Sequence, residues 1–163
     1  MKTYFLDISA LVKRYHQEVG TDVVDKIFEE VAKDLFISDL SIVEFYSAIA
    51  LKVRLGEISR DAFLHLTELF SQELAIELYR IQRIEKKEKL EAIKLLNKYG
   101  LDHSLRTLDS LQLAVMKSIG KGKLEWVVCA DTRFCEVIQL EGFRVINPQG
   151  SGEKGSHFEG GLK

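Results

Sequence analysis

The chain has 163 residues, enough for a single domain whose core needs no disulfide bonds. Hydrophobic residues make up 46% and charged residues 29%, as in an ordinary globular protein, and the net charge of −2 gives no overall basic signature of a nucleic-acid-binding protein. The only cysteines, Cys129 and Cys135, have no histidine at finger-like spacing, which argues against a structural zinc site.

Short apolar runs and amphipathic segments alternate along the first half of the chain. A strand is predicted over 3–6, a short helix over 9–17 and a second helix over 23–34, where Val23, Val24, Ile27, Phe28 and Val31 recur at helical spacing. A second strand follows over 35–38, and then two longer helices over 41–55 and 59–74.

The same alternation continues through the second half. Residues 76–81 indicate a third strand, although this segment could also continue the preceding helix. Helices are predicted over 86–99, 108–119 and 132–141, with strands over 126–129 and 143–146. Strands that alternate with helices predict an α/β fold, a three-layer α/β/α sandwich around a parallel sheet of about five strands. The continuous apolar run at 126–129 fits a strand that is buried on both faces.

The last residues have a different composition. After Pro148 the chain is rich in glycine and polar residues, so we expect one domain over residues 1–148 and a flexible tail over residues 149–163. The first residues lack the pattern of a signal peptide, and no stretch approaches the roughly 20 apolar residues of a membrane span. A cytoplasmic protein without membrane contact is therefore expected.

Four acidic residues lie where a parallel sheet binds its ligands, outside the carboxyl ends of the strands. Asp7 ends the first predicted strand, and Glu44 lies one turn into the helix after the second. Asp131 comes two residues after the strand at 126–129, and Asp109 opens the helix that leads into that strand. The topology therefore predicts that four carboxylates distant in sequence meet at one edge of the sheet.

Each of these acids also has a structural interpretation. Ser41 and Glu44 match the capping box S-x-x-E, and Asp7, Asp109 and Asp131 could each stabilise a helix N-terminus. A group of carboxylates repels itself unless a cation neutralises it, and an all-oxygen site suits Mg²⁺ or Mn²⁺ better than zinc. Such ions activate water and stabilise the leaving oxygen in phosphodiester cleavage, which makes a metal-dependent nuclease the leading hypothesis.

Four segments resemble the successive motifs of PIN domains, most of all those of the VapC-type toxins of toxin–antitoxin pairs: YFLDISALVKRY, SIVEFYSA, LRTLDSLQLA and CADTRFCEVIQLEGFRVINP. The resemblance covers residues 1–148. It implies a five-stranded parallel sheet and an endoribonuclease site that holds Mg²⁺ or Mn²⁺. By match to the motifs, the implied ligands are Asp7, Glu44, Asp109 and Asp131, and the hydroxyls that accompany the first and last acids are those of Ser9 and Thr132.

Two departures from the usual motifs concern this site. Ser110 and Gln112 stand where the family usually has alanine and histidine, and no second acid follows closely after Asp131, so a second metal is expected only with substrate. Ser9 could equally be part of a helix cap, and Arg106 could contact phosphate or pair with a carboxylate. None of the four histidines is predicted to act as a general base, because a metal-bound hydroxide removes the need for one.

The expected partners are an RNA substrate, a second copy of the chain and a small antitoxin protein. The segment 80–98 carries seven basic and three acidic side chains and could follow an RNA backbone, although such a helix is more often simply solvated. The resemblance implies dimerisation and antitoxin binding through the helices over 41–55 and 59–74. Their apolar positions fit either this interface or the core: Ile42, Phe45, Tyr46, Ile49, Phe63, Leu66 and Phe70.

Two other functions remain as alternatives. A catalytically silent PIN fold could bind RNA or protein without cleaving it, although four intact acids argue against this. An aspartate-dependent phosphohydrolase also begins with an aspartate after its first strand, but it would need a second aspartate at position 9, which is Ser9.

Overall fold

A computed structural model describes residues 1–150 and contains one parallel sheet of five strands. The strands are β1 (Lys2–Leu6), β2 (Lys33–Ser38), β3 (Tyr79–Gln82), β4 (Trp126–Val128) and β5 (Val145–Ile146). They lie in the order β3-β2-β1-β4-β5, and every neighbouring pair is parallel. The order changes direction at β1, so the ends of β1 and β4 flank the position where parallel sheets bind ligands.

The helices connect these strands in the alternating manner that the sequence predicts. They are α1 (Ile8–Leu11), α2 (Thr21–Glu29), α3 (Asp39–Arg54), α4 (Arg60–Ala75), α5 (Lys86–Tyr99), α6 (Thr107–Ile119) and α7 (Thr132–Leu140). A 3₁₀ turn over Val12–Arg14 extends α1. In residues 1–150, no helix is at once long enough and apolar enough to pass through a lipid bilayer.

Two apolar cores lie on opposite faces of the sheet. Tyr4 and Leu6 of β1 pack with α1 to α4, whereas Phe5, between them in sequence, packs with α5 to α7. Alternate residues of a strand point to opposite faces, so a strand buried on both faces must be apolar at every position. The structure therefore confirms the three-layer α/β/α fold.

Two predicted helices are shorter in the structure. The helix predicted over 9–17 consists of α1 and the 3₁₀ turn that ends at Arg14, and the helix predicted over 23–34 ends at Glu29. Val31 has helical spacing but is fully exposed. The pairing of Lys33 with Lys2 requires extended chain soon after α2, so sheet formation overrides the apolar periodicity there. Most of the predicted flexible tail lies outside the described residues.

The aromatic side chains of α3 and α4 fill the core. Phe45, Ile49 and Phe70 are fully buried, and the rings of Phe45 and Phe70 lie 4.1 Å apart between centroids. Phe63 is partly buried against the same cluster. The interpretation of these positions as an exposed interface is therefore wrong for Phe45, Ile49 and Phe70, while Tyr46 stays 39% exposed.

Candidate active site

Asp7 is held where β1 passes into α1. Its backbone N–H donates to the carbonyl of Val128, and its Oδ2 accepts hydrogen bonds from the backbone N–H of Ser9 at 3.0 Å and from Ser9 Oγ at 2.5 Å. Ser9 Oγ also accepts a hydrogen bond from the N–H of Ala130 at 2.9 Å. Asp7 therefore caps α1, and the Ser9 hydroxyl ties the end of β1 to the loop after β4.

Glu44 does not take part in a capping box, which corrects that structural interpretation. The cap of α3 is Ser38, whose Oγ accepts from the N–H of Ser41 at 3.1 Å, so α3 begins before Ser41. Glu44 Oε2 instead accepts a hydrogen bond at 2.6 Å from Nε2 of Gln112. The side chain is thus directed across the sheet edge towards α6.

Gln112 is a site residue that the sequence interpretation treated only as a departure from the usual motif. It is buried, and its Nε2 donates to Ser41 Oγ as well as to Glu44. Its Oε1 is buried without a hydrogen-bond partner in the described part of the chain. The signal for this role is its spacing, because a residue three positions after Asp109 lies on the same helix face.

Asp109 and Asp131 are brought together by Arg106. The guanidinium donates from Nε to Asp109 Oδ2 at 2.9 Å and from Nη2 to Asp131 Oδ2 at 2.8 Å. Asp131 also caps α7, since its Oδ1 accepts from the backbone N–H groups of Arg133 and Phe134. The two acids are therefore joined by a cation that the chain itself supplies.

The electrostatics show that the other two acids lie near Asp109. Burial raises the pKa of Asp7, hydrogen bonds from Ser9 partly oppose this, and the charge of Asp109 adds to it. Burial also raises the pKa of Glu44 to about 7; the hydrogen bond from Gln112 opposes this rise, and the charges of Asp7 and Asp109 increase it. Burial, with a smaller contribution from like charges, therefore favours the protonated form of Asp7 and Glu44 unless a cation binds.

The donor set fits a hard divalent cation, although it is not a finished metal cage. Carboxylates, hydroxyls and an unpaired amide oxygen are the donors that Mg²⁺ and Mn²⁺ use. Within residues 1–150, no three acidic, histidine or cysteine side chains already converge as a complete binding group. Like charges stay apart without a cation, and Arg106 occupies oxygens of both Asp109 and Asp131.

A cavity of about 460 Å³ opens beside Asp109 and Asp131. Arg106 and Arg133 line this cavity, together with polar groups from the loop before α6 and from the start of α7. The charged and polar lining residues are His103, Ser104, Arg106, Asp109, Asp131, Thr132 and Arg133. Thr132, the second hydroxyl predicted for the site, is thus an exposed residue of this cavity.

The comparison with protein families decides the identity of this fold. The profile described as "PIN domain" matches residues 4–139, which is most of the chain and includes all four acids. The chain belongs to the PIN-domain family. No curated protein sequence matches this PIN domain significantly.

Three solved structures share the fold of this PIN domain. FitAcB from Neisseria gonorrhoeae is 18% identical with a TM-score of 0.65, covering 89% of this chain and 97% of that one. A sarcin–ricin-loop-cleaving VapC toxin of Mycobacterium tuberculosis is 16% identical with a TM-score of 0.63, and the match covers 89% of this chain and 99% of the toxin. DNA-bound VapBC from Salmonella typhimurium is 16% identical with a TM-score of 0.58, and the match covers 91% of this chain and 99% of that one.

Proposed function

We propose that this PIN domain is a metal-dependent endoribonuclease, the toxin of a toxin–antitoxin pair. The observation that carries the proposal is a set of interactions at the carboxyl edge of the sheet. In addition to burial, the charge of Asp109 raises the pKa of Asp7, and the charges of Asp7 and Asp109 raise that of Glu44. Arg106 forms hydrogen bonds with both Asp109 and Asp131. Helix capping accounts for Asp7 and Asp131 individually, but it does not account for the charge interactions that link Asp7, Glu44 and Asp109.

The proposed metal ligands are these four acids, and the metal is Mg²⁺ or Mn²⁺. When bound, the ion would supply an activated water molecule and stabilise the leaving oxygen of the phosphodiester. Ser9 fixes the orientation of Asp7 by two hydrogen bonds, and Gln112 directs Glu44 into the site. Both supporting residues hold a carboxylate through a neutral donor, so the negative charge stays available for a cation.

RNA is the proposed substrate. The cavity beside the acids presents Arg106 and Arg133, whose guanidinium groups suit phosphate oxygens. A toxin of similar fold is described as cleaving the sarcin–ricin loop, which is RNA. The basic segment 80–98 contributes less than its charge count indicates, because Arg80 pairs with Asp34, Lys94 with Glu91 and Lys98 with Glu141.

The decisive experiment is cleavage of an end-labelled structured RNA by the purified full-length chain. We expect internal cleavage with Mg²⁺ or Mn²⁺, none with excess chelator, and recovery when metal is restored. DNA of the same sequence serves as the control for RNA specificity. Metal-dependent RNA binding without any cleavage would favour the silent binding module, and cleavage that persists in chelator would contradict the metal site.

The proposed partners are a second copy of the chain and a small antitoxin, both bound on the arm formed by α3 and α4. FitAB bound to a DNA fragment and DNA-bound VapBC share the fold of this domain. With Phe45 and Phe70 buried, the exposed apolar surface of the arm and its end consists of other side chains: Val43, Tyr46, Leu51, Leu55, Leu64 and Leu69. A largely apolar cavity of about 390 Å³ lies between the two helices.

Light scattering tests the proposed dimer. Leu64→Ser alters an exposed side chain that lines the arm cavity, so we expect it to weaken a dimer without unfolding the domain. Leu90→Ser on α5 removes an equally apolar and similarly exposed side chain from another surface, and we expect it to leave association unchanged. A wild-type monomer across the micromolar range would reject the dimer.

A further inference from the structure

Arg106 makes contacts that are unusual for an exposed side chain. It is 69% exposed, yet its guanidinium forms hydrogen bonds with both Asp109 and Asp131. The hydrogen bonds that Arg106 donates to Asp109, together with the charge of that carboxylate, raise the pKa of Arg106. Its backbone begins α6, but its side chain makes no capping hydrogen bond. The Arg106 side chain therefore binds the two acids and does not cap the helix.

The oxygens that Arg106 binds are those that a metal would need. Asp131 Oδ1 is engaged by two backbone N–H groups of α7, so Oδ2, which Arg106 holds at 2.8 Å, is the oxygen left for another ligand. Asp109 is in contact through both oxygens, at 2.9 Å and 3.5 Å. A divalent ion cannot bind Asp131 Oδ2 and Asp109 fully while the guanidinium remains there.

We propose, on the basis of the proposed nuclease function, that Arg106 is an exchangeable internal cation: it neutralises Asp109 and Asp131 until a divalent ion replaces it, and then binds a backbone phosphate of the RNA. The freed side chain needs only to turn within the 460 Å³ cavity that it already lines beside Thr132 and Arg133. Guanidinium groups bind carboxylate and phosphate oxygens with the same fork of donors, so both positions use the same chemistry.

The exchange links metal loading to substrate binding. Without metal, Asp109 and Asp131 neutralise the positive charge of Arg106, so the guanidinium attracts phosphate only weakly. With metal, the same charge faces the cavity. The energetic cost of displacing Arg106 also weakens metal binding, so the site takes up its ion less readily than the four acids alone would.

Manganese affinity, measured by titration calorimetry and by the electron paramagnetic resonance of free Mn²⁺, tests the first half of the proposal. Arg106→Ala should bind Mn²⁺ about tenfold more tightly than wild type, because a competing charge in direct contact is removed. Arg133→Ala is the matched control: it removes an equal charge from the same cavity, and screening should limit its effect to less than about threefold. Arg106→Lys, which keeps the charge but not the fork, should lie between wild type and Arg106→Ala.

Steady-state RNA cleavage at saturating Mn²⁺ tests the second half. Arg106→Ala should raise KM for RNA by about tenfold, since one phosphate contact is lost. Nitrogen-15 spectra provide a direct view of the exchange: the Arg106 Nε–H signal should move towards that of a free arginine as Mg²⁺ is added. A signal that stays unchanged at full metal occupancy would overturn the exchange.

The outcomes separate this inference from the proposed function. If wild type and variants all fail to bind Mn²⁺ and to cleave RNA, both proposals fall. If wild type binds Mn²⁺ and cleaves RNA, but Arg106→Ala binds Mn²⁺ equally or more weakly, Arg106 positions the acids permanently and the exchange is overturned. Tighter Mn²⁺ binding with an unchanged KM would overturn the phosphate contact.

Discussion

Two regions of this domain hold fully or partly buried carboxylates in opposite electrostatic surroundings. Glu141 lies between α5, α6 and α7, where it accepts hydrogen bonds from Lys98 at 2.8 Å, Tyr99 at 2.7 Å and Lys117 at 2.9 Å. Burial alone would raise the pKa of Glu141, but these donors outweigh it and lower the pKa to about 2. At the edge of the sheet, by contrast, the pKa values of Asp7 and Glu44 are raised.

The difference lies in which donors the chain provides. Two lysines neutralise Glu141, so the charge of that carboxylate is already balanced within the protein. Asp7 and Glu44 receive neutral donors from Ser9 and Gln112, which orient a carboxylate without cancelling its charge. A site that orients negative charge and leaves it unbalanced is suited to bind a cation, whereas a balanced site serves stability.

The largest effect is expected from Asp7→Asn, which should abolish RNA cleavage while the protein stays folded. An amide keeps the shape and the hydrogen bonds of the helix cap, but it removes one of the charges that would hold the metal. Because Asp7 is buried near Asp109, removing its charge should leave the melting temperature unchanged or slightly higher. Cleavage rate and thermal unfolding are measured on the same preparation.

The control for Asp7→Asn is metal saturation. Rates are compared over a range of Mn²⁺ concentrations so that weakened binding is not mistaken for loss of the reaction. Full activity in a folded, metal-saturated Asp7→Asn protein would remove Asp7 from the active site.

Glu44→Gln and Glu141→Gln compare the two regions directly. Glu44→Gln should lower the rate by orders of magnitude with little loss of stability, because its carboxylate is needed as a charge. Glu141→Gln should keep the rate but lower the free energy of unfolding by about 1–3 kcal/mol, because Lys98 and Lys117 lose their charged acceptor. If Glu44→Gln cleaves at the wild-type rate, Glu44 has only a structural role.

The stability of the metal-free protein should depend on pH differently for the two regions. Folding raises the pKa of Glu44 from 4.5 to about 7, so the folded state binds the proton more tightly than the unfolded state does. Glu44 therefore favours folding below pH 4.5, and this contribution is lost as the pH rises towards 7. Folding lowers the pKa of Glu141 from 4.5 to about 2, so its contribution is lost as the pH falls through that range.

Denaturant unfolding in chelator at about pH 5 and about pH 7 measures this difference. Wild type should lose stability over this interval, and Glu44→Gln should lose less. Asp7 titrates in the same direction, so part of the slope should remain in the variant. An identical slope in both proteins would show that Glu44 does not lie in a partly buried, acidic environment.

The sequence was sufficient to predict the fold, because the fold follows from the chain order of strands and helices; the metal-binding role of the four acids stays a prediction. Asp7 directly follows β1 and Asp131 lies in the loop shortly after β4, and parallel strands bring such positions to one edge. Element ends were less predictable: Val31 continues a helical apolar pattern but lies outside α2, since β2 must pair with β1 nearby.

The partners of the acids were harder to predict than the acids themselves. The contact between Gln112 and Glu44 joins α6 to α3 over 68 positions, and local spacing carries no information about such a pair. The S-x-x-E pattern was misleading because Ser38, three residues earlier, is the actual cap. Arg106 was a candidate for either phosphate or carboxylate, and only the structure shows that it reaches two acids at once.

The smallest effect concerns Ser9, whose hydroxyl joins Asp7 to the loop after β4. Ser9→Ala removes the hydrogen bond that Ser9 Oγ donates to Asp7 Oδ2 and the one that it accepts from the N–H of Ala130. The charge of Asp7 and its hydrogen bond from the backbone N–H of residue 9 stay in place. We expect a rate about tenfold lower and a loss of about 1 kcal/mol in the free energy of unfolding, the usual effect of one hydrogen-bonding side chain. Thr132→Ala, which shortens an exposed hydroxyl side chain of the neighbouring cavity, serves as the matched control and should change stability less. A rate for Ser9→Ala as low as that of Asp7→Asn would mean that the hydroxyl itself binds the metal or the substrate, and that orienting Asp7 is not its main role.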